Sequence, residues 1–216
     1  MIEVRLERPW LIAELARPMR VLSWAPHRAG FVTTDRIVWR EVRNADLAPG
    51  FDAEAWLAEA LGAAGLGQAV AMMTSRDVGT WRLEVVTVEG LRAACLATVG
   101  LSNAESVGRR LPWHAAEFGT INLAVAVEAE LTEAAQLEAL SIAVEARTAA
   151  VMATGWELAT GTATGTGTDC VALACLPGAG RYAGKHTAAG EAVGAAVRGA
   201  VAAATADWLR WRRAQG

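Results

Sequence analysis

The chain has 216 residues, 53% hydrophobic and 20% charged, with a formal net charge of −3 at pH 7. That balance supplies a sizeable core and excludes a disordered chain. No long basic run is present, which excludes nucleic acid as the main partner, because phosphate binding needs clustered Lys and Arg.

The first part reads as short strands. IEVRL alternates from Ile2, and MRVLSW and FVTTDRIVWREV are rich in β-branched and aromatic residues. APHRAG between them, with Pro26 and Gly30, is a loop. Asp52 caps a helix that runs through Leu61 and ends at Gly62 and Gly65. QAVAMMT, RLEVVTV and LRAACLATV follow as strands, the last two joined by a hairpin at Gly90, and LSNAESVG is a loop or a short helical turn. GTINLAVAVEAEL alternates, with Ile121, Leu123, Val125 and Val127 on one face and Asn122, Ala124, Ala126 and Glu128 on the other. The large face belongs to the core, and the small face suits close approach of a helix or a ligand. Thr132 caps a long helix ended by Gly155, with Leu137, Leu140, Val144 and Val151 near one stripe and Glu138, Ser141, Glu145 and Thr148 on another. CVALACL is a buried strand, PGAG a loop, and an Ala-rich helix runs from about Thr187 to Arg213.

Strands come early and long helices late. The order predicts an α+β fold: a largely antiparallel or mixed sheet packed by two long C-terminal helices and a shorter helix in the N-terminal half. No linker divides the chain, so one domain over 1–216 is expected. Cys95, Cys170 and Cys175 are odd in number and form no CxxC pair, which argues against a disulfide framework or zinc knuckle and fits a reducing cytoplasm. The N-terminal MIEVRLERPW lacks the pattern of a signal peptide, and Arg198 and Asp207 break the apolar stretch of the last helix, so no membrane association is expected. Nothing in the sequence sets an oligomeric state.

Several stretches bear chemistry. Thr160–Asp169, TGTATGTGTD, places a threonine at alternate positions of a Gly-rich run and closes on a carboxylate. Glycine lets backbone N–H groups converge on a ligand, so the run reads either as an anion- or oxygen-binding loop or as a turn whose threonines serve strand propensity. GKHTAAGE, Gly184 to Glu191, opens the last helix. Lys185 and His186 stand where the helix dipole is positive, which suits an anion held there, or a solvated lysine. A Walker A loop is excluded, because Ala179 and His186 stand where Gly and Ser or Thr are required. GLSNA loosely mimics a nucleophile elbow at Ser102, while Asn103 suits an amide donor to a carbonyl, or a turn cap. His27, His114 and His186 lack the spacing of a metal site, and no metal is expected. Of nine tryptophans, Trp24, Trp39, Trp81 and Trp113 lie near strand ends or loops and could stack on a flat ligand; the rest are packing anchors.

Asn103-Ala104, GTIN at Gly119–Asn122, EART at Glu145–Thr148, TGTGTD at Thr164–Asp169 and GKHT with GE at Gly184–Glu191 resemble, in order and spacing, the adenosylcobinamide amidohydrolase family. The family often has Lys where Arg147 stands, and residues 1–20 carry no motif of it. The resemblance implies hydrolysis of the amide joining aminopropanol to the corrin side chain, giving adenosylcobyric acid and 1-amino-2-propanol. The cobalt corrinoid is then the substrate, no cofactor is needed, and the partner is a small molecule. A non-catalytic corrinoid carrier is the alternative.

On that reading Asp169 or Glu191 deprotonates a water, and Lys185, His186 and the N–H groups around Gly165 and Gly167 hold the negative oxygen. His186 protonates the amine, and Asn103 and Asn122 position the amide. Thr168 or Thr166 attacking directly is the other route. Glu145, Thr164 and Thr187 complete the expected substrate-binding set. All of this requires Asp169 and Lys185 to face one carbonyl.

Overall fold

The computed structural model describes residues 1–42, 50–112 and 119–215. Its strands are β1 (Ile2–Glu7), β2 (Trp10–Ser23), β3 (Gly30–Glu41), β4 (Val70–Thr74), β5 (Arg82–Val88), β6 (Leu91–Val99), β7 (Ala104–Glu105), β8 (Ile121–Leu131), β9 (Glu157–Leu158), β10 (Gly161–Thr162), β11 (Gly165–Thr166) and β12 (Cys170–Pro177). The helices are α1 (Ala53–Ala63), α2 (Glu133–Met152) and α3 (Ala188–Gln215). One mixed, mostly antiparallel sheet of eight strands runs β4-β3-β2-β12-β8-β6-β5, with β1 added to β2. The fold is α+β, with one helix in the N-terminal half and two long ones in the C-terminal half.

Caps and turns follow the sequence. The Asp52 carboxylate accepts from Ala55 N at 3.0 Å and the Thr132 hydroxyl from Ala135 N at 3.2 Å, satisfying donors that a helix start leaves unpaired. The Thr187 hydroxyl does the same for Gly190 N at 3.0 Å. Gly90 turns β5 into β6 at φ +82°, a conformation costly for other residues.

The sheet bends back on itself. Trp10–Glu14 of β2 pair with Arg40–Arg36 of β3, the register shifts between Glu14 and Met19, and pairing resumes from Met19 with Thr34. Pro18 lies in that gap, where its missing N–H costs no ladder bond. Below the shift β2 pairs with β1, and above it with β12. The shift thereby splits the sheet into two layers. Ile37, Trp39, Val70 and Met72 of one layer pack on Leu96, Ala124, Ala126 and Ala172 of the other.

The large face of β8 (Ile121, Leu123, Val125, Val127) packs under α2 and α3, as the alternation predicts. Its small face (Ala124, Ala126) turns inward to the second layer rather than to a helix or ligand. Alanines let the two layers approach closely. On the far side Trp10, Ile12 and Val38 pack on Leu57 and Leu61 of α1.

The buried face of α2 departs in part from the expected stripe. Val151 is buried and Leu140 and Val144 are partly buried against the core, but Leu137 is 53% exposed, and Ala135, Ala139, Ala143, Ala146 and Ala150 are buried. Close packing on the sheet selects small residues over large ones. Gln136, fully buried in this face, donates to Arg20 O and Leu173 O at 2.9 Å each and accepts from Arg20 Nε at 2.6 Å. It ties α2 to β2 and β12.

Candidate active site

The threonine run folds as two short pairings and a turn. β10 pairs with β9, and β11 pairs with β7, bringing the run beside Ala104 and Glu105. Several of its polar atoms are spent internally. Thr164 N donates to Glu105 O at 2.9 Å, and the Thr164 hydroxyl accepts from Val107 N at 2.8 Å. The turn that follows is built around Asp169. One carboxylate oxygen accepts from Ile121 N at 2.9 Å and from the Thr166 hydroxyl at 2.5 Å. The other accepts from Thr166 N at 2.9 Å and from Arg147 Nη1 at 2.5 Å.

An ionised carboxylate offers about four lone-pair sites, and all are taken. Asp169 has no oxygen left for a water, so its geometry is that of a positioning residue, and the expected water-activating role does not fit it. Burial pushes its carboxyl pKa up, against the pull of Arg147, Thr166 and Ile121. Gly165 is explained by the same packing. A Cβ there would lie 2.4 Å from an Asp169 oxygen. Gly167 meets no such neighbour.

Behind this turn, at the starts of β8 and β12, lies a cavity of about 340 Å³. Met72, Met73, Ser75, Asn122, Thr168 and Cys170 are among its walls. Asn122 is 1% exposed, donates through Nδ2 to Met73 O at 2.7 Å and accepts from the Thr120 hydroxyl at 3.1 Å, so it ties β8 to the end of β4 across the bend. The Thr168 hydroxyl donates to Gly119 O at 3.0 Å. Burial pushes the Cys170 thiol up to about 12, which keeps it protonated and unreactive. Trp24, 47% exposed, donates through Nε1 to Asp169 O at 2.8 Å and holds the turn from outside.

A groove of about 280 Å³ adjoins the cavity through Ser75 and Gly119 and continues past Arg76, Gly100 and Ser102. Ser102 and Asn103 also line a third hollow of about 320 Å³ against Trp156 and Trp208, and the buried Asn103 Oδ1 has no partner among the described residues. These hollows run along one end of the sheet.

Lys185 lies elsewhere. It pairs with Glu145 at 2.6 Å on the outer side of α2, with side chains 64% and 58% exposed. Together with Glu191 and Arg198 they line a groove of about 420 Å³ between α2 and α3. His186 is exposed nearby, and Thr187 is occupied as the cap of α3. Glu145 and Arg147 are two apart on α2, hence on opposite flanks of the helix. The Lys185–Glu145 and Arg147–Asp169 pairs are therefore turned away from each other and line no common cavity among the described residues. The expectation that both loops close on one carbonyl is corrected: Asn122, Thr164, Thr166, Thr168 and Asp169 gather at the sheet end, with Asn103 beside them, and Lys185, His186, Glu191 and Glu145 gather at the helix groove.

Ser75, Met73 and Arg76 escape the sequence reading, because the end of β4 reaches the threonine turn only through the bend in the sheet. Trp39, proposed for stacking, is fully buried in the inner core. His27 bonds to Gly67 O at 3.2 Å, and Trp113 and His114 lie outside the described residues.

The sequence matches the model of the CbiZ family, adenosylcobinamide amidohydrolase, over residues 1–213. The chain belongs to this family. No functionally curated protein matches it significantly. Among solved structures, the PH0078 protein from Pyrococcus horikoshii OT3 is similar at 10% identity and a TM-score of 0.43, covering 90% of this chain and 76% of its own.

The CbiZ match begins at the first residue, so it includes β1 and the start of β2, where no motif was legible. Among the described residues of this CbiZ chain, no group of three His, Cys, Asp or Glu side chains stands close enough to hold a metal. No described helix is long and apolar enough to cross a membrane.

Proposed function

We propose that the chain hydrolyses the amide between aminopropanol and the corrin side chain of adenosylcobinamide, releasing adenosylcobyric acid and 1-amino-2-propanol. The setting is cobamide salvage in the cytoplasm. Membership of the CbiZ family over nearly the whole chain carries this reading. The corrinoid is substrate, and the reaction asks for no further cofactor.

The reaction centre is the cavity at the starts of β8 and β12. It is the hollow that brings the GTIN and TGTGTD segments together, through Asn122 and Thr168. Its walls are largely apolar, as a site for an uncharged amide side chain needs, and Asn122 offers an amide group to orient the carbonyl.

Two routes to the carbonyl carbon remain. Water attacks in one. In the other a threonine hydroxyl of the turn attacks, Thr168 from the cavity wall or Thr166 beside it. Intact mass of the protein during turnover separates them: an acyl adduct on Thr168 or Thr166 supports the threonine route, and an unmodified chain supports water.

Incubation with adenosylcobinamide, followed by assay of free aminopropanol, tests the function. Release in stoichiometry with adenosylcobyric acid is expected. Tight corrinoid binding without release would make the protein a carrier. Lys185→Ala locates the centre. Retained turnover is expected, and its loss would move the reaction to the groove between α2 and α3, with Lys185, His186 and Glu191 as its polar groups.

A further inference from the structure

Arg76 follows β4, its N–H held by the Thr74 hydroxyl at 3.0 Å. Its side chain lies in the groove that shares Ser75 and Gly119 with the cavity. The guanidinium sits over the Trp211 ring, 5.1 Å from its centroid, and among the described residues it forms no ion pair.

The acids around it are already engaged. Arg8 bonds both Glu41, at 2.8 Å, and Asp77, at 2.6 Å. Arg82 and Arg210 bond Asp207. Among the described residues, four arginines (Arg8, Arg76, Arg82, Arg210) thus face three carboxylates (Glu41, Asp77, Asp207). Partial burial weakens the hold of the Arg76 guanidinium on its proton, against the pull of the nearby Asp77 and Asp207 charges, and it stays charged at neutral pH. A half-buried cation whose neighbouring acids are bonded to other arginines is costly unless something supplies a further anion. Its fork of N–H donors fits a carboxylate.

We infer that Arg76 is the group that receives the carboxylate end of the cleaved side chain, so that the site binds the acid product through a charge the amide substrate lacks. This rests on the hydrolysis proposed above. In that reaction the oxygen of water bonds to the carbonyl carbon and the C–N bond breaks. The bonding pair and a proton leave with the amine, and the new acid loses its proton to become a carboxylate. Negative charge appears on the side-chain oxygens only as the reaction proceeds. A cation beside the cavity acts on that change, and not on the neutral amide.

The test compares wild type, R76K and R76Q for binding of adenosylcobyric acid and adenosylcobinamide by tryptophan fluorescence, together with steady-state turnover. In R76Q the affinity for the acid should fall roughly tenfold or more, as for loss of a charged hydrogen-bonded contact, while the affinity for the amide changes far less. R76K should recover part of the difference, and thermal melting should show both variants folded. Wild-type turnover with unchanged acid affinity in R76Q overturns the assignment alone, as does equal loss for acid and amide. A wild type that neither binds nor cleaves adenosylcobinamide overturns the proposed reaction and this assignment with it.

Discussion

Asp169 and Arg147 have side chains 6% and 12% exposed, a depth at which one charge without the other is expensive. Asp169→Asn leaves the guanidinium of Arg147 without an anion, and we expect a loss of about 3 kcal/mol in urea unfolding. Arg147→Gln added to it should restore part of that loss, so the double variant will not sum. Gly165→Ala forces a Cβ onto the same carboxylate and should cost about 1–3 kcal/mol by the same measurement. The Lys185–Glu145 pair is open to solvent, so Lys185→Ala should change stability by no more than about 1 kcal/mol. At this scale the sequence marks the right positions in the run Thr164–Asp169 but not their work. Spacing says that hydroxyls and a carboxylate are near each other. It does not say that Arg147, in the second half of α2, comes to saturate the acid. Nor does it reveal Arg76, whose neighbours come from four separate segments.

Elements carry most of what alternation and caps can predict. The strands of the main sheet, apart from the first half of β2, and all three helices are legible, because Asp52, Thr132 and Gly90 punctuate them and β8 alternates without interruption. The orientation of α2 is not legible. Its leucines suggest one face, yet the sheet takes the alanine face and the amide of Gln136. Packing distance decides between them, and a single sequence does not state that distance. Gln136→Leu fits the volume but strands Arg20 Nε and two carbonyls. It should destabilise by about 3 kcal/mol in chemical denaturation, more than a matched change at the exposed Leu137.

For the molecule as a whole, the decisive event is the bend where β2 shifts register against β3. Nothing in the alternation of either strand announces it, since a shift of pairing depends on the partner. It turns a flat sheet into two layers and makes the alanines of β8 an interior surface. Ala126→Leu should therefore be costly, about 1–3 kcal/mol by thermal or urea unfolding, although it is hydrophobic for hydrophobic. The same bend brings Met73 within 2.7 Å of Asn122 and closes the cavity between them. Pro26, Met72, Asn122 and Cys170, all walls of that hollow, are drawn from widely separated parts of the polypeptide. During synthesis the nascent protein therefore cannot form this hollow until translation has passed the start of β12. Fragments cut anywhere between these walls would have to reassociate before they could recover it.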